Sequence, residues 1–236
     1  MTTEPLDNPG WHALTTDHAP LAEAVGPARR YRPDVSPFYA VDRLDGEAWA
    51  ALAALGGPGA AVLLARTEIP EPPDGWRQIL ALQGYQMTLD DPGPPPATPG
   101  APTFRALTGD DVPAMLALVE LAEPGPFLAG TIELGGYVGV HDGDRLVAMA
   151  GRRRSFPGRT EVSAVCTHPD ARGRGLGAAV THQVAAGIDA DGDRALLHVA
   201  EDNHGARRLY ERLGFTVRRA LTFALLRTPD DLRGVP

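Results

Sequence analysis

A glycine-rich turn between an apolar segment and a helical pattern constrains the fold more than any other feature of the sequence. Arg172–Ala178 reads RGRGLGA, and it follows the apolar segment Arg159–Thr167. Glycines let the backbone approach an anion closely, and the first turn of a helix offers unpaired N–H groups and a partial positive charge. We therefore predict a strand, a pyrophosphate-binding loop and a helix, in that order. A purely structural strand-to-helix turn is the alternative.

A dinucleotide-binding turn would use the same residues differently. Gly173, Gly175 and Ala178 fit the pattern G-x-G-x-x-A, and Glu201 follows the next predicted strand. However, residues 168–171 separate the loop from its strand, and the strands before the loop form an antiparallel meander rather than a parallel βαβ series. A nicotinamide-dependent dehydrogenase is therefore the weaker hypothesis.

The hydrophobic patterns on both sides of the loop predict an α/β (α+β) fold. Asp142-Gly143-Asp144 has the chemistry of a hairpin turn, and the periodicities indicate a mixed, mostly antiparallel sheet flanked by helices. Strands are predicted at 103–107, 136–141, 145–151, 159–167, 195–199 and 215–226, and helices at 110–123, from the glycine loop to 188, and at 203–213.

A proline- and glycine-rich segment, Asp90–Pro102, predicts a linker and a domain boundary. We expect residues 1–97 to form a smaller α/β N-terminal domain of unknown role, and residues 98–236 to carry the site. Within the first part, the patterns predict helical stretches over 11–31 broken by prolines, a helix at 46–55, strands at 38–41 and 61–65, and a strand or short helix at 78–87.

Composition excludes several kinds of chemistry. The 236-residue chain has a formal net charge of −8, which argues against a nucleic-acid-binding surface. It contains no lysine, so a Schiff-base or Walker-type lysine is excluded. Its one cysteine, Cys166, rules out an internal disulfide and a cysteine metal cluster, and we expect no metal. Its beginning lacks a signal-peptide pattern and its apolar runs are too short to span a bilayer, so we expect a cytoplasmic protein.

A second motif follows the next predicted strand. Asn203–Phe215 reads NHGARRLYERLGF, which resembles the N-x-x-A-x-x-x-Y-x-x-x-G-F signature of the GCN5-related N-acetyltransferase (GNAT) superfamily. The loop Arg172–Gly177 resembles that family's acyl-CoA loop, R/Q-x-x-G-x-G/A, and Val165–Pro169 resembles its central strand. Both motifs occur in the family's order and at its usual separation. The resemblance covers about Thr103 to the C-terminus, whose last part looks like the FR47-like branch.

The resemblance implies a GNAT fold with acetyl-CoA as co-substrate. In that family a strand splayed from its neighbour pairs with the pantetheine arm. Backbone groups of Val165, Cys166 and Thr167 are therefore expected to hold pantetheine, with an amide near Val165 polarising the thioester carbonyl. The Asn203 side chain would bind a pantetheine amide. The pyrophosphate would lie on the loop formed by Arg172, Gly173, Arg174, Gly175, Leu176, Gly177 and Ala178.

Two side chains are candidate catalysts. Tyr210 aligns with the family's usual general acid, which protonates the departing CoA thiolate; a core tyrosine is the alternative. Glu161 aligns with a glutamate that in several members removes the amine proton through water; an exposed charge is the alternative. Strand alternation predicts that Glu161 and Val165 share one face and that Cys166 lies on the other. We interpret Cys166 as a small buried residue, because the family transfers the acyl group directly.

Other polar residues are interpreted as structural. The run Arg152–Arg154 indicates a solvated strand end, with contact to the 3′-phosphate of CoA as a weaker alternative. His198 and His204 are interpreted as structural or rim residues.

These expectations describe an N-acetyltransferase that moves an acetyl group from acetyl-CoA to a primary amine by direct attack. The alternative is a non-catalytic acyl-CoA-binding sensor or scaffold. The acceptor would be a small-molecule or peptide amine, selected by loops such as Pro124–Leu134 and by the N-terminal part. Neither nucleic acid nor a membrane is expected as a partner, and a homodimer is left open. Residues 1–97 are further expected to be a degenerate relative of the same fold, as in tandem acetyltransferases.

Overall fold

The computed structural model describes residues 4–97 and 102–232, and in these ranges it contains eleven strands and five α-helices. The strands are β1 Ala22–Val25, β2 Ala28–Tyr31, β3 Tyr39–Val41, β4 Ala61–Arg66, β5 Arg77–Leu89, β6 Phe104–Ala106, β7 Val138–Asp142, β8 Arg145–Phe156, β9 Arg159–Thr167, β10 Arg194–Ala200 and β11 Thr216–Arg227. The helices are α1 Pro9–Thr15, α2 Gly46–Gly56, α3 Val112–Ala122, α4 Leu176–Ala190 and α5 His204–Arg212.

Eight of the strands form one mixed sheet, in the order β4–β11–β5–β10–β9–β8–β7–β6. Neighbouring strands are antiparallel except β9 and β10, which run parallel. The predicted hairpin turn joins β7 to β8, with Gly143 at a φ of +61°. The predicted mixed, mostly antiparallel sheet flanked by helices is confirmed.

The first forty residues differ from the prediction of broken helices. Only α1 is α-helical in the predicted stretch 11–31, where it begins earlier, at Pro9, and one 3-10 turn follows at Ala19–Leu21. Residues 22–31 instead form the β1–β2 hairpin, which continues into β3 as a small three-stranded sheet. Gly26 takes a φ of +48° at the turn, a conformation that glycine adopts without strain. The prolines interrupted the helical pattern, but they did not indicate which structure would replace it.

Residues on both sides of the predicted boundary belong to the eight-stranded sheet. β4 and β5 precede residue 97, and β5 lies between β10 and β11, with Leu89 paired to Ala195 and Thr216 paired to Thr88. Residues 98–101 of the predicted linker lie outside the described residues. The division into 1–97 and 98–236 stays a prediction, and because it separates β5 from both of its neighbours, a fragment can test it.

The two faces of the large sheet are covered by different helices. α4 and α5 pack on one face, where Val180 and Ile188 of α4 and Phe215 are fully buried against the strands. α1 and α3 pack on the opposite face, which we call the α1/α3 face. There Met115 lies against Met149, and Ala13 lies in one cluster with Leu196. No helix within residues 4–97 and 102–232 is long and apolar enough to cross a membrane.

Candidate active site

The glycine-rich loop forms a cavity at the start of α4. Gly173 and Gly175 both have a φ of +77°, and Gly175 is the residue before the first turn of the helix. Glycine accepts this left-handed conformation, whereas other residues are strained there. The loop encloses a cavity of about 350 Å³. Its lining residues are Thr167, Ala171, Arg172, Gly173, Gly175, Leu176, Gly177, Ala178, Leu209 and Arg212.

The two arginines of the loop have different surroundings. Arg172 lines the cavity together with Arg212 of α5, which gives its wall two positive charges. Arg174 turns toward the β7–β8 hairpin, where its Nη1 lies 3.2 Å from Oδ2 of Asp142. Both partners of this ion pair are about half exposed, so the pair contributes little to stability. Arg174 is not among the residues that line the cavity, so only a contact through its backbone stays a prediction.

The parallel strands β9 and β10 separate along their length. They pair only from Arg159 to Glu161 and from Arg194 to Leu196. β10 then continues along β5 on its other edge as far as Ala200. We call the point where pairing ends, between Glu161 and Leu196, the fork. The predicted pantetheine-binding residues 165–167 lie on the separated part of β9, between the fork and the cavity.

A β-bulge in β9 reverses the predicted sides of two residues. Ala164 has a φ of +51°, and β9 has one residue more than β8 at this point of their pairing. The extra residue shifts the alternation. Val165 therefore packs against the α4 side, whereas Cys166 lies with α3 on the face that carries Glu161. The prediction that Val165 shares a face with Glu161 and that Cys166 lies opposite is wrong. A non-glycine residue at positive φ costs about 1–3 kcal/mol, and such strain is frequent at functional sites.

Cys166 has the surroundings of a packing residue. Its side chain is 5% exposed and lies in the cluster formed by α3 and β8. Burial raises the pKa of the thiol to about 12. A thiol is nucleophilic as its thiolate, so these surroundings favour the structural interpretation.

Tyr210 and Asn203 lie at the two ends of the motif helix α5. Tyr210 is 8% exposed, and burial, with a smaller contribution from Cys166, raises the pKa of its phenol to about 12. The phenol is therefore protonated at neutral pH and available as a proton donor. Asn203 caps α5: its Oδ1 accepts the N–H of Ala206 at 3.1 Å, which leaves its amide nitrogen for other contacts.

Glu161 is the centre of a buried ion-pair network at the fork. Its side chain is 2% exposed, its Oε2 accepts Nη1 of Arg154 at 2.7 Å, and its Oε1 lies 2.9 Å from Nδ1 of His198. Burial disfavours the carboxylate, but Arg154, His198 and Arg153 together outweigh burial and hold the pKa of Glu161 well below its usual range. Burial also lowers the pKa of His198, so its ring is neutral at pH 7.

His198 connects Glu161 to the N-terminal part. Its Nε2 lies 3.3 Å from Nε2 of Gln86, which also donates to the carbonyl of Leu6 at 2.8 Å. Gln86 Oε1 in turn accepts Arg218. Since the Gln86 amide nitrogen is a donor, His198 accepts at Nε2 and donates from Nδ1 to Glu161. A continuous series of side-chain hydrogen bonds thus leads from Arg218 through Gln86 and His198 to Glu161.

The arginine that pairs with Glu161 was not predicted from the sequence. The run Arg152–Arg154 is not a solvated strand end, because β8 continues through it to Phe156 and Arg154 is 1% exposed. The sequence did carry a signal for this ion pair. The arginine run lies in the strand that comes directly before the strand of Glu161 in the antiparallel meander. Antiparallel neighbours bring such residues together, and a glutamate opposite arginines indicates a buried pair.

Comparisons with known proteins agree with this geometry. A family model described as FR47-like protein matches residues 137–224. The structure of a protein described as an acetyltransferase of the GNAT family, from Novosphingobium aromaticivorans, is 42% identical and superimposes with a TM-score of 0.85 over 95% of this chain and 98% of its own. A GCN5-related N-acetyltransferase from Kribbella flavida shares the fold, with a TM-score of 0.64 at 20% identity over 92% of this chain and 93% of its own.

Curated relatives match a shorter part of the chain. A mycothiol acetyltransferase from Mycobacteroides abscessus is 38% identical over 105 residues, which are 42% of this chain and 31% of that protein. The chain thus spans less than a third of the length of that relative. Because the Novosphingobium protein matches nearly from end to end at 42% identity, and because the loop and helix motifs occupy the expected places, the chain belongs to the GCN5-related N-acetyltransferase (GNAT) family of acyltransferases.

Proposed function

We propose that the protein transfers the acetyl group of acetyl-CoA to a primary amine by direct attack of the amine on the thioester. The observation that carries this proposal is the position of the glycine-loop cavity relative to the fork. Thr167 lines the cavity and Glu161 lies at the fork, and six residues of β9 span about 20 Å at 3.3 Å per residue. A pantetheine arm laid along β9 from the cavity would bring its thioester to the fork.

Backbone groups supply most of the proposed cofactor site. Amides of residues 173–178 at the start of α4 would bind the pyrophosphate, with Arg172 as a neighbouring positive charge. On the separated part of β9, backbone groups of residues 165–167 would pair with pantetheine, and the Val165 amide would stabilise the charge developing on the thioester oxygen. Asn203 would add a side-chain contact to a pantetheine amide.

Tyr210 is the proposed general acid. As the C–S bond breaks, the sulfur of CoA becomes a thiolate and takes a proton from the phenol. Burial supports this role because it keeps the phenol protonated until the thiolate forms. No covalent acyl-enzyme is part of the proposal, in keeping with the buried thiol of Cys166.

Glu161 is the predicted acceptor, through water, of the proton that the acceptor ammonium loses before the amine attacks. In the free protein its two oxygens are occupied by Arg154 and His198. Its low pKa makes it a weak base, because efficient general bases have a pKa near the working pH. If Glu161 does accept the proton, its replacement by glutamine should lower kcat/KM most at low pH, where the amine is most protonated. If it only positions His198 and Arg154, the loss should be the same across the pH range.

The acceptor amine is proposed only by class. The curated relatives are named mycothiol acetyltransferases, but their match to this chain covers less than half of it. The segment 124–134 and the N-terminal part are proposed to form the wall of the acceptor side. These two are in contact, since Thr131 Oγ1 donates to the carbonyl of Val35 at 2.7 Å.

The cofactor site is tested by Gly175→Asp with Gly192→Asp as control. Both glycines have a positive φ, of +77° and +90°, so both variants carry similar backbone strain, but only Gly175 lines the cavity. We expect calorimetry to show loss of acetyl-CoA binding for Gly175→Asp and normal binding for Gly192→Asp. Unchanged binding in a folded Gly175→Asp protein would refute the site. Release of CoA with a panel of amines tests catalysis, and binding without turnover would support an acyl-CoA sensor instead.

A further inference from the structure

Two arginines and one carboxylate lie together on the α1/α3 face beside the fork. Arg153 and Arg154 extend from consecutive positions of β8, where a second irregularity in the pairing with β9 interrupts the alternation. Both guanidiniums lie over the ring of Phe38, with Cζ 5.5 Å from the ring centroid for Arg153 and 4.4 Å for Arg154. Glu161 is the acidic member of this group.

Arg154 is paired with a carboxylate, whereas Arg153 is not. Arg154 is buried and forms the ion pair with Glu161. Arg153 is half-buried, and its Nη2 donates to the carbonyl of Pro126 at 3.1 Å. Among residues 4–97 and 102–232, Arg153 forms no ion pair with a carboxylate. The protein thus leaves a partly desolvated guanidinium with one neutral hydrogen-bond acceptor.

The charges of this group do not balance. Glu161 is the carboxylate that acts on Arg153, and it is the same one that neutralises Arg154. The other titratable neighbours of Arg153 are Tyr31 and Tyr137, whose phenols are kept neutral by burial. The group therefore carries an excess of one positive charge. A partly buried charge without a partner is costly, so its retention indicates a ligand that supplies the missing negative charge.

The excess charge is on the acceptor side and not at the cofactor phosphates. The irregular stretch of β8 that contains Arg153 pairs with the beginning of β9, at residues 160–162, whereas the glycine loop follows the end of β9. About 20 Å of strand separates the two. Phe38 comes from the N-terminal part and Pro126 from the segment expected to select the acceptor, so the guanidinium lies between the two walls of the acceptor side.

We propose that the acceptor amine also carries a carboxylate, and that Arg153 binds this carboxylate while the amine lies at the fork. This inference rests on the proposed acetyl transfer. A guanidinium presents parallel N–H donors that match the two oxygens of a carboxylate, and the ring of Phe38 holds its plane. Binding the carboxylate neutralises the group and orients the amine toward the thioester. Arg153 is thus a specificity-determining residue for amino-acid-like acceptors.

The kinetic test compares ω-amino acids of increasing chain length with their carboxamides, with CoA release as readout. For at least one chain length we expect the acid to be used about 10-fold or more better than its amide. Arg153→Gln should raise KM for that acid by about 10–100-fold, the range for hydrogen bonds to charged groups, with little change in kcat. The amide and acetyl-CoA should be unaffected. Arg153→Lys should fall between.

Arg152→Gln is the matched control. Arg152 neighbours Arg153 in β8, but its Nη2 pairs with Asp191 at 2.6 Å, beyond the end of α4. It should leave the acid-to-amide preference unchanged. Equal use of acid and amide by the wild type, or an equal effect of Arg153→Gln on both, would refute the proposal while leaving acetyl transfer intact.

A binding experiment separates this proposal from the proposed function. Propionate should raise the unfolding temperature of the wild-type protein but not of Arg153→Gln, and propionamide should affect neither; this requires no turnover. If no amine is acetylated but propionate still depends on Arg153, the carboxylate site stands and the proposed reaction fails. Circular dichroism shows whether Arg153→Gln is folded, and the equally uncharged Arg153→Met replaces it if it is not. A propionate effect that survives in the folded Arg153 variant would refute the site.

Discussion

Replacement of Glu161 by glutamine tests whether this residue is first of all a structural partner. The substitution keeps the size of the side chain and removes its charge. Arg154, which is 1% exposed, would then be buried without a carboxylate, next to the half-buried Arg153. The glutamine amide has one acceptor oxygen, so it can accept from Arg154 or from His198 at their present positions but not from both. The perturbation therefore affects the whole group at the fork.

The cost of this substitution follows from the burial of the pair. Removing one partner of a buried ion pair costs about 3–5 kcal/mol, because the remaining charge stays desolvated. For a chain of this size that corresponds to a fall of about 6–20 °C in unfolding temperature. Replacing both partners by groups of similar volume is often nearly neutral. We therefore expect Arg154→Met combined with Glu161→Gln to regain most of the loss.

Denaturant unfolding of the wild type, Glu161→Gln, Arg154→Met and the double variant forms a complete double-mutant cycle. An interaction energy of several kcal/mol is expected, and Tyr210→Phe serves as a variant with its fold intact. A Glu161→Gln protein as stable as the wild type, but inactive, would refute the structural reasoning. In that case Glu161 would act as a catalytic base, and its charge would not be needed for the stability of the fold.

Tyr210→Phe should lower kcat by about 10²–10⁴-fold with unchanged acetyl-CoA affinity, as measured by steady-state kinetics and calorimetry. Cys166→Ala should keep activity within a few-fold, and an acetyl group trapped on Cys166 in mass spectrometry would contradict direct transfer. The fragment 98–236 lacks β5, so we expect it to show no cooperative unfolding transition. A folded fragment that binds acetyl-CoA would establish the domain division. Stability in urea should fall below about pH 6.5, because burial lowers the pKa of His198 and the unfolded chain binds its proton more readily. A further fall below about pH 4.3 should be smaller in Glu161→Gln than in the wild type, because the depressed pKa of Glu161 stabilises the fold only while the carboxylate is charged.

The features that could be predicted from the sequence depend on neighbouring residues. The turn at Asp142–Asp144, the strand Arg159–Thr167 and the helix after the glycine loop all follow from local glycine positions and periodicity. The cap of α5 at Asn203 was implicit in the motif that identified the family. These elements are specified within a few residues, so a single sequence is sufficient to find them.

The features that were missed depend on residues far apart in the chain. The bulge at Ala164 has no local marker, because alanine is an unusual residue for a positive φ and is held there by the strands around it. The burial of Arg154 depends on α1 and Phe38, which lie more than a hundred residues earlier. The place of β5 between β10 and β11 is likewise set by tertiary packing. The alternation of side chains between the two faces of a strand fails where such packing overrides it. In this protein that happens at the candidate active site.

The place of β5 in the sheet has a consequence for synthesis on the ribosome. Both of its partners are made about a hundred residues later, and its first half carries Ile79, Leu80 and Leu82, which stay substantially exposed even in the finished fold. At 5–20 residues per second, β5 waits roughly 10–30 s for β11 to be made. During this interval an apolar strand with two open edges is available to other nascent chains. Release of a chain that stops short of β11 would make this exposure permanent, so premature termination near the C-terminus should yield aggregated or degraded protein rather than a shortened enzyme.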